Sequence, residues 1–311
     1  MVAQFPNINP LSCSIIIPTY NRPDRLRACL QGLSQLAYPH DYFEVIVVDD
    51  GSVMPLDQIV EPFQSVLRLS LLRQENAGPA TARNTGAAMA KGQFLIFTDD
   101  DCVPTPNWLM ALMNRFHTLP QNLIGGHVLN ALPDNIYSTA SQILIDYLYK
   151  YYNTNNEGMH FFASNNFALP TQIFEKLGGF DTTFPLAAGE DRELCDRWLH
   201  AGYNMTYAPE AQTYHAHTLT LRSFWKQHFN YGRGAFYFHR LRAQRHQDRI
   251  RVEPLSFYVR LLTYPFTQTF PLLTTAVLSL LLLISQVANT IGFFWQRHRS
   301  MPTIDSNVTT I

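Results

Sequence analysis

Charged residues are scarce in this sequence. Asp, Glu, Lys and Arg make up only 15% of its 311 residues, and the formal net charge at pH 7 is −1. Proteins that bind nucleic acids usually carry a strong basic excess, so we expect no nucleic-acid partner. Hydrophobic residues make up 46% of the chain, which is ample for a large core.

Cysteines are also few and widely separated. Cys13, Cys29, Cys102 and Cys195 form no Cys-x-x-Cys pair, and this spacing disfavours both a zinc site and a disulfide framework. Such usage is typical of proteins in a reducing compartment. The first residues contain no basic segment followed by an apolar run, so we expect no signal peptide.

Short β-branched runs alternate with helical patterns through the first hundred residues. We predict strands at 14–18, 44–48, 66–72 and 94–98, and helices at 24–36 and 80–90. This alternation indicates an α/β fold with a mostly parallel central sheet and helices on both faces. From residue 125 the pattern becomes mixed and completes the sheet, and a helix follows Glu190 and runs to His200.

Two acidic clusters directly follow two of the predicted strands. Asp49 and Asp50 end the second strand, and Asp99, Asp100 and Asp101 follow the fourth. In such sheets the functional groups collect beyond the carboxyl ends of the strands. Crowded carboxylates repel one another unless a cation is present, and Mg²⁺ or Mn²⁺ favours these oxygen ligands. The alternative to a metal site is a solvated turn or a helix cap. The presence of two acidic clusters in the same sheet makes this alternative weaker.

Four segments resemble the family-2 glycosyltransferases of the GT-A fold, which use nucleotide-diphospho-sugar donors and invert the transferred sugar. They are SIIIPTYNRPDRL, EVIVVDDGS, NAGPATARNTGAAMAKGQFLIFTDDDCVPTPNWL and LGGFDTTFPLAAGEDRELCDRWLHAGY, in the family's order. The resemblance implies a catalytic domain at 12–234, with a nucleotide-sugar half at 12–120 and an acceptor half at 121–234. It also implies transfer of one sugar to an acceptor hydroxyl, in cell-surface glycan or glycolipid synthesis.

The resemblance implies a donor site and a metal site. The donor residues would be Pro18, Thr19, Tyr20, Asn21, Arg22, Asp50, Gly78, Arg83, Asp99 and Asp100. Asp101 would ligate Mn²⁺ or Mg²⁺, with His215 and His217 as further metal ligands, and the cation would stabilise the leaving diphosphate. For Arg83 a structural ion pair with Asp49 or Asp50 stays open, and a histidine is often only a structural residue.

The resemblance also implies an acceptor site. Asp191 would be the general base, and Glu190 beside it would orient the acceptor. The alternative for this pair is stabilisation of a helix N-terminus, and the two roles are compatible. Asn165 and Asn166 are candidate acceptor contacts, although paired asparagines also form turns. The Gln-x-x-Arg-Trp motif of processive members is absent, because Gln227 is followed by Asn230, and this favours single-sugar addition.

The C-terminal part combines basic and apolar stretches. Residues 235–260 contain five clustered arginines, 261–296 contain no charged residue, and 297–311 form a tail. About 20 apolar residues suffice to span a bilayer, so we predict a membrane-associated enzyme with its catalytic domain on the cytoplasmic side. The alternative to a membrane segment is an apolar helix that is buried against the catalytic domain. The arginines, Arg240, Arg242, Arg245, Arg249 and Arg251, are candidates for contact with membrane lipid or a lipid-linked acceptor, or for a solvated helix face.

Two other functions compete with sugar transfer. A nucleotidyltransferase would show a Gly-rich phosphate loop after the first strand, and PTYNRPDRL contains no glycine. A catalytically silent nucleotide-sugar sensor or scaffold would be favoured by loss of Asp101 or Asp191, and both are present. The predicted partners are therefore a nucleotide-sugar donor, a glycan or lipid-linked acceptor, and membrane lipid.

Overall fold

A computed structural model describes residues 13–153, 161–184, 188–247 and 253–300. Strands and helices alternate in the first part of the chain. They are β1 (Cys13–Thr19), α1 (Pro23–Ser34), β2 (Phe43–Asp49), α2 (Asp57–Val60), β3 (Leu69–Arg73), α3 (Pro79–Met89), β4 (Phe94–Thr98), β5 (Cys102–Pro104) and α4 (Trp108–Thr118). The four predicted strands and two predicted helices are present, although β3 begins three residues later than predicted.

Long helices dominate the second part. The elements are β6 (Leu123–Asn130), α5 (Ile136–Asn153), β7 (Asn166–Pro170), α6 (Thr171–Lys176), α7 (Glu190–His200), β8 (Met205–His215), α8 (Leu221–His246), α9 (Leu255–Thr263) and α10 (Leu272–Arg299). The predicted helix from Glu190 to His200 is confirmed. The 18-residue helix α5 was not predicted, and it carries the tyrosines between residues 147 and 152.

The described strands form one sheet in the order β3-β2-β1-β4-β7-β6-β8-β5. Strands β1 to β4 pair in parallel, as predicted. The second half is mixed, because β7 is antiparallel to both β4 and β6, and β5 is antiparallel to β8. This mixture brings the end of β4 and the end of β8 to the same edge of the molecule.

Helices cover both faces of the sheet. Every residue of β1 is buried, as expected for a parallel strand covered on both faces. Ile15 packs with Leu30 and Trp108 on one face, whereas Ile16 packs with Phe97 on the other. Successive side chains of a strand point to opposite faces, so the continuous apolar run of β1 supplies both cores.

The C-terminal helices α8 and α10 lie against each other along much of their length. A Cβ atom on Gly232 would lie 1.8 Å from the carbonyl oxygen of Asn289, and one on Gly292 would lie 2.0 Å from that of Phe229. Only glycine permits this close approach of two helix backbones. The apolar segment is therefore a helix packed on the catalytic part, and it also presents an outer face to the surroundings.

The predicted basic linker at 235–260 is not a separate segment where the structure describes it. Helix α8 runs through Gly234 without a break. Arg242 and Arg245 form ion pairs with Asp196 on α7, and Arg245 also contacts Glu193. Arg245 is largely buried in these pairs, so the lipid-contact interpretation is wrong for it, whereas Arg242 is about half exposed and its contact with lipid stays a prediction. Arg240 is exposed, and Arg249 and Arg251 lie outside the described residues.

Candidate active site

The three consecutive aspartates after β4 occupy different environments. Asp100 and Asp101 are buried, whereas Asp99 is partly exposed. Thr19 donates a hydrogen bond from Oγ1 to Asp100 Oδ2 at 2.8 Å. Arg22 Nη1 lies 3.1 Å from both Asp100 Oδ1 and Asp101 Oδ2. The end of β1 and the end of β4 thus meet here, as the parallel sheet predicts.

The pKa values of the two buried aspartates differ. Burial raises the pKa of Asp100 to about 6, against the opposing charge of Arg22. Burial also acts to raise the pKa of Asp101, but the hydrogen bond and charge of His215 outweigh it and lower that pKa to about 2. Asp101 is therefore the more firmly ionised carboxylate of the two.

His215 reaches Asp101 because β5 pairs with the end of β8. Cys102 lies opposite His215 in this antiparallel pair, and His215 Nε2 lies 3.2 Å from Asp101 Oδ1. Burial acts to lower the pKa of His215, but the hydrogen bond that His215 donates to Asp101 outweighs this and raises the pKa overall. His217 has its ring centroid 5.2 Å from that of His215, and burial lowers its pKa to about 4.

Potential ligand atoms of Asp101, Cys102 and His215 lie within 4.8 Å of one another. Burial raises the pKa of the Cys102 thiol well above its usual range, so the thiol stays neutral and is a poor ligand. A carboxylate and an imidazole remain, and this donor set suits Mn²⁺ better than a thiol-preferring ion. The residues present therefore fit a divalent cation bound by Asp101 and His215.

Asp50 holds the loop that precedes α3. Its Oδ1 accepts hydrogen bonds from Gln74 Nε2 and the Ala77 amide, and its Oδ2 accepts one from the Gly78 amide. Gly78 has a φ of +88°, which favours glycine. Both Asp50 carboxylate oxygens thus have partners within the protein, and the role of Asp50 in donor binding stays a prediction.

The structural alternative for Arg83, an ion pair with Asp49 or Asp50, is wrong. Arg83 lies inside the protein and contacts Asp99 Oδ1 through Nη2 at 2.7 Å, and Glu190 Oε1 through Nη1 at 3.1 Å. Helix α3 directs the side chain away from β2 and toward the acceptor half. A single buried cation therefore joins the aspartate cluster to the acidic pair at the start of α7.

The acidic pair stands on the first turn of α7, after Gly189 with its φ of +96°. Burial and the neighbouring Asp191 charge raise the pKa of Glu190 to about 7, although Arg83 opposes the shift. Burial likewise raises the pKa of Asp191. Asp191 Oδ1 accepts a hydrogen bond from the Arg192 amide at 2.8 Å, and Oδ2 accepts one from Ser164 at 3.4 Å. The carboxylate is thereby oriented, and its raised pKa suits proton acceptance.

The two candidate acceptor asparagines lie in different places. Asn166 is fully buried, and its amide donates to the His127 and Ala211 carbonyls at 3.0 Å and accepts from Trp108 Nε1 at 2.8 Å. Its interpretation as an acceptor contact is therefore wrong, because every side-chain group that could bind a ligand is used within the core. Asn165 instead lines a cavity next to His215.

The remaining donor candidates lie near the end of β1. Pro18 is buried in the strand pairing with β2, and Tyr20 is half exposed beyond it. Asn21 has a φ of +56° and accepts a hydrogen bond from the Val53 amide at 2.8 Å. These residues border the Arg22 and Asp100 contacts, and their roles in donor binding stay predictions.

Solved structures share this fold. The mannosyltransferase PcManGT from Pyrobaculum calidifontis, in complex with GDP-Man and Mn²⁺, superposes with a TM-score of 0.61, 18% identity and coverage of 92% of this chain and 90% of that one. S. aureus TarS 1-349 in complex with UDP-GlcNAc superposes with a TM-score of 0.52 and 18% identity, over 91% and 89% of the two chains. The fold is that of the GT-A glycosyltransferases, and it confirms the predicted fold class.

The chain belongs to glycosyl transferase family 2, whose model matches residues 14–178. A model described as the N-terminal domain of galactosyltransferase matches residues 148–219. Glycosyltransferase AglE of Haloferax volcanii is 29% identical over 202 residues, which are 63% of this chain and 64% of that protein. Chondroitin synthase of Escherichia coli is 29% identical over 237 residues, 65% and 34% of the two chains. The chain thus spans between a third and two thirds of these relatives, and it is a glycosyltransferase.

Proposed function

We propose that this glycosyltransferase moves one sugar from a nucleotide-diphosphate donor to an acceptor hydroxyl, with inversion and with a divalent cation. The observation that carries the proposal is the chain of contacts from His215 through Asp101 and Arg22 on one side, and from Asp99 through Arg83 to Glu190 on the other. These contacts link Asp101 and His215, which would bind the cation, to Glu190 and the neighbouring Asp191, whose carboxylates suit proton transfer.

Asp101 and His215 would hold the cation, which supplies positive charge where the leaving diphosphate becomes more negative. Arg22 carries a further positive charge next to these groups and is about half exposed. It is therefore available to a phosphate of the donor as well as to the two aspartates. The PcManGT structure, which shares the fold, contains Mn²⁺ together with GDP-Man, and this supports the use of a divalent cation.

Asp191 would accept the proton of the acceptor hydroxyl. Its orientation by two backbone amides and its raised pKa fit a general base. Direct attack by the activated hydroxyl inverts the anomeric carbon, because no covalent sugar–enzyme intermediate intervenes, as in inverting hydrolases. Glu190, held by Arg83, fixes the position of the first turn of α7.

We place the enzyme at a membrane surface with its catalytic part on the cytoplasmic side. Helix α10 is the one helix of the described chain long and apolar enough to cross a membrane, and about a third of its most apolar stretch is buried within the protein. All four cysteines are buried thiols, which suits a reducing compartment. A glycan or lipid-linked acceptor fits this location.

The decisive experiment measures release of nucleoside diphosphate from a panel of UDP- and GDP-sugars, with and without Mn²⁺. Asp101→Asn and Asp191→Asn are compared with Asp41→Asn, a matched change at an exposed aspartate. We expect Mn²⁺-dependent turnover that falls at least about 100-fold in the first two variants and persists in the control. Donor binding without turnover in the unmodified protein would support the sensor function instead.

A further inference from the structure

Helix α8 lies between α7 and α10 and contacts them through different residues. Toward α10, Gly232 touches the helix backbone, and the centre of the Phe236 ring lies 5.5 Å from that of Phe293. Gly234 and Phe238 each stand two residues further along and contact α7 or the turn before it. An α-helix rotates by about 200° over two residues, so the two pairs lie on opposite sides of α8.

Gly234 touches the turn that leads into α7. A Cβ atom at Gly234 would lie 2.0 Å from the carbonyl oxygen of Ala188. Gly189, the next residue of the turn, has a φ of +96°, and a Cβ atom there would lie 3.2 Å from the carbonyl oxygen of Gly234. Two stretches of backbone therefore meet with no side chain between them, which glycine permits. The proposed base Asp191 follows Ala188 by three residues, so its backbone starts from this contact.

Phe238 holds the same part of α7 one helical turn further along α8. The guanidinium carbon of Arg192 lies 4.7 Å from the centre of the Phe238 ring, within the range of a cation–π contact. The backbone amide of Arg192 donates a hydrogen bond to Asp191 Oδ1 at 2.8 Å. Arg192 is thus held by α8 through its side chain, and it orients the proposed base through its amide.

The contact between α8 and α7 continues beyond Arg192. Arg242 and Arg245 form ion pairs with Asp196, one turn further along α7. Residues 234, 238, 242 and 245 of α8 are separated by intervals of four, four and three positions, so they lie on one side of the helix. This side of α8 therefore fixes α7 along its length as well as at its first turn.

We propose that Gly234 and Phe238 are positioning residues, which act through the first turn of α7 to set the place of the Asp191 carboxylate. The inference rests on the proposed function, in which Asp191 accepts the proton of the acceptor hydroxyl. Neither positioning residue was predicted from the sequence, because these contacts join distant parts of the chain.

The closeness of the Gly234 contact makes the proposal testable. A Cβ atom essentially never lies within 3.0 Å of another heavy atom. Gly234→Ala would therefore force α8 and the Ala188 carbonyl apart by about 1 Å. A displacement of about 1 Å between reacting groups can lower the rate of an enzyme about 100-fold.

Gly292→Ala on α10 is the matched control for Gly234→Ala. A Cβ atom at Gly292 would also lie 2.0 Å from a carbonyl oxygen, that of Phe229 on α8. Both variants thus press a methyl group against a backbone carbonyl to the same extent, but only Gly234→Ala does so at the turn before Asp191. The melting temperatures of both variants should fall.

Turnover is measured with the most active nucleotide sugar of the UDP- and GDP-sugar panel, Mn²⁺, and a glycolipid and polysaccharide extract of the source cells as acceptor. We expect turnover at saturating donor to fall about 100-fold in Gly234→Ala and to stay close to normal in Gly292→Ala. The Kd of UDP or GDP with Mn²⁺, measured by calorimetry, should be unchanged in both variants. Equal losses of turnover in the two variants would overturn the proposal.

Combination with Asp191→Asn distinguishes positioning of the base from a general structural effect. If Gly234 acts through Asp191, the double variant turns over no more slowly than Asp191→Asn alone, because the group that is displaced is already inactive. A further fall of about 100-fold in the double variant would show that Gly234 acts elsewhere, and the proposal would then be wrong.

Phe238→Leu and Phe236→Leu test the same proposal without a steric clash and decide it if Gly234→Ala does not fold. The first removes a ring from the Arg192 contact, and the second removes one from the contact with α10. We expect turnover to fall about tenfold in Phe238→Leu and to stay close to normal in Phe236→Leu. Equal turnover in the two variants would overturn the positioning role and leave the proposed function standing. Normal turnover in Asp191→Asn would instead refute the proposed base itself.

Discussion

The Arg83 guanidinium donates to Glu190 Oε1 at 3.1 Å, although the two residues are 107 positions apart in the chain. Its other terminal nitrogen contacts Asp99 at 2.7 Å. The end of β4 and the beginning of α7 are therefore held together by one buried cation. Because the proposed cation ligands and the proposed base belong to these two places, this ion pair fixes their relative position.

Replacing Arg83 with Met is expected to destabilise the fold by about 3 to 5 kcal/mol, since the buried Glu190 and the partly exposed Asp99 lose their only described cationic partner. Urea unfolding followed by circular dichroism gives this difference. Arg68→Met is the matched control, because Arg68 forms an exposed pair with Asp41 and should cost no more than about 1 kcal/mol. Equal losses in the two variants would show that the Arg83 pair makes no special contribution.

Arg22→Met is expected to tighten the binding of Mn²⁺ alone. The guanidinium of Arg22 lies 3.1 Å from Asp100 and from Asp101, so it competes with a divalent cation for the same oxygens. Titration followed by electron paramagnetic resonance of free Mn²⁺ measures the Kd without any donor present. We expect a decrease of about tenfold, whereas Arg25→Met, a change three residues along the chain, should leave the Kd unchanged. Weaker Mn²⁺ binding in Arg22→Met would contradict competition.

Local patterns explain why much of the fold and site was predictable. The central runs of β1, β2 and β4 are apolar because both faces of the sheet are covered, and the aspartates stand at or directly after the ends of β2 and β4. Parallel pairing then brings these strand ends together without further information. The parallel pairing of these strands and the cluster at Asp99, Asp100 and Asp101 could therefore be predicted from residues that are close together in the sequence.

Features that depend on distant contacts were not predictable in this way. Asn165 and Asn166 are adjacent and identical, yet β7 turns one into the core toward Trp108 and the other toward the cavity. Which of the two asparagines points into the core depends on the register of the strand, because a shift of one residue exchanges the two faces of the strand. The partner of Arg83 likewise depends on where α7 packs. Arg245 was a candidate for contact with lipid because an apolar segment follows its basic stretch in the sequence. Helix α7 instead supplies two carboxylates to it from 49 and 52 positions away.

The contribution of Glu190 to the stability of the protein is expected to fall between about pH 4.5 and pH 7. Its pKa in the folded state is raised to about 7, mainly by burial. A raised pKa means that the folded state favours the protonated form, so this stability is complete below the unfolded-state pKa and lost as the pH rises through about 7. The loss from this carboxyl is roughly 3 kcal/mol.

Glu190→Gln should remove this pH dependence, because an amide does not titrate. The change in the free energy of unfolding in urea from pH 5 to pH 8 should be more positive in the variant than in the unmodified protein, by about 2 to 3 kcal/mol. Glu210→Gln, a change at an exposed carboxylate paired with Arg115, should retain the original pH dependence. The same pH dependence in Glu190→Gln and the unmodified protein would show that the pKa of Glu190 is not raised.

Helix α10 has two faces of different character. Its buried side includes Leu278, Leu282 and Ser285 and the glycine contact with α8, whereas apolar side chains also line the outer side. The exposed residues are Leu273, Val277, Leu280, Leu283, Val287, Ile291 and Phe294. They recur every three or four positions and so form one stripe. Because α8 covers the opposite side, we expect this stripe to enter a lipid surface while the helix remains attached to the catalytic part.

The double variant Leu280→Glu and Ile291→Glu places two charges on this stripe. Complete burial of an apolar side chain of this size favours lipid binding by about 1.5 to 3 kcal/mol. A carboxylate at the same position opposes insertion of the helix into the lipid. We therefore expect binding to vesicles of phosphatidylglycerol and phosphatidylcholine, measured by flotation, to fall at least about tenfold. Met89→Glu adds a charge at an exposed methionine of α3 and should bind vesicles like the unmodified protein. Flotation of the double variant at the unmodified level would mean that the stripe does not contact lipid, and that α10 serves the protein through its packing on α8.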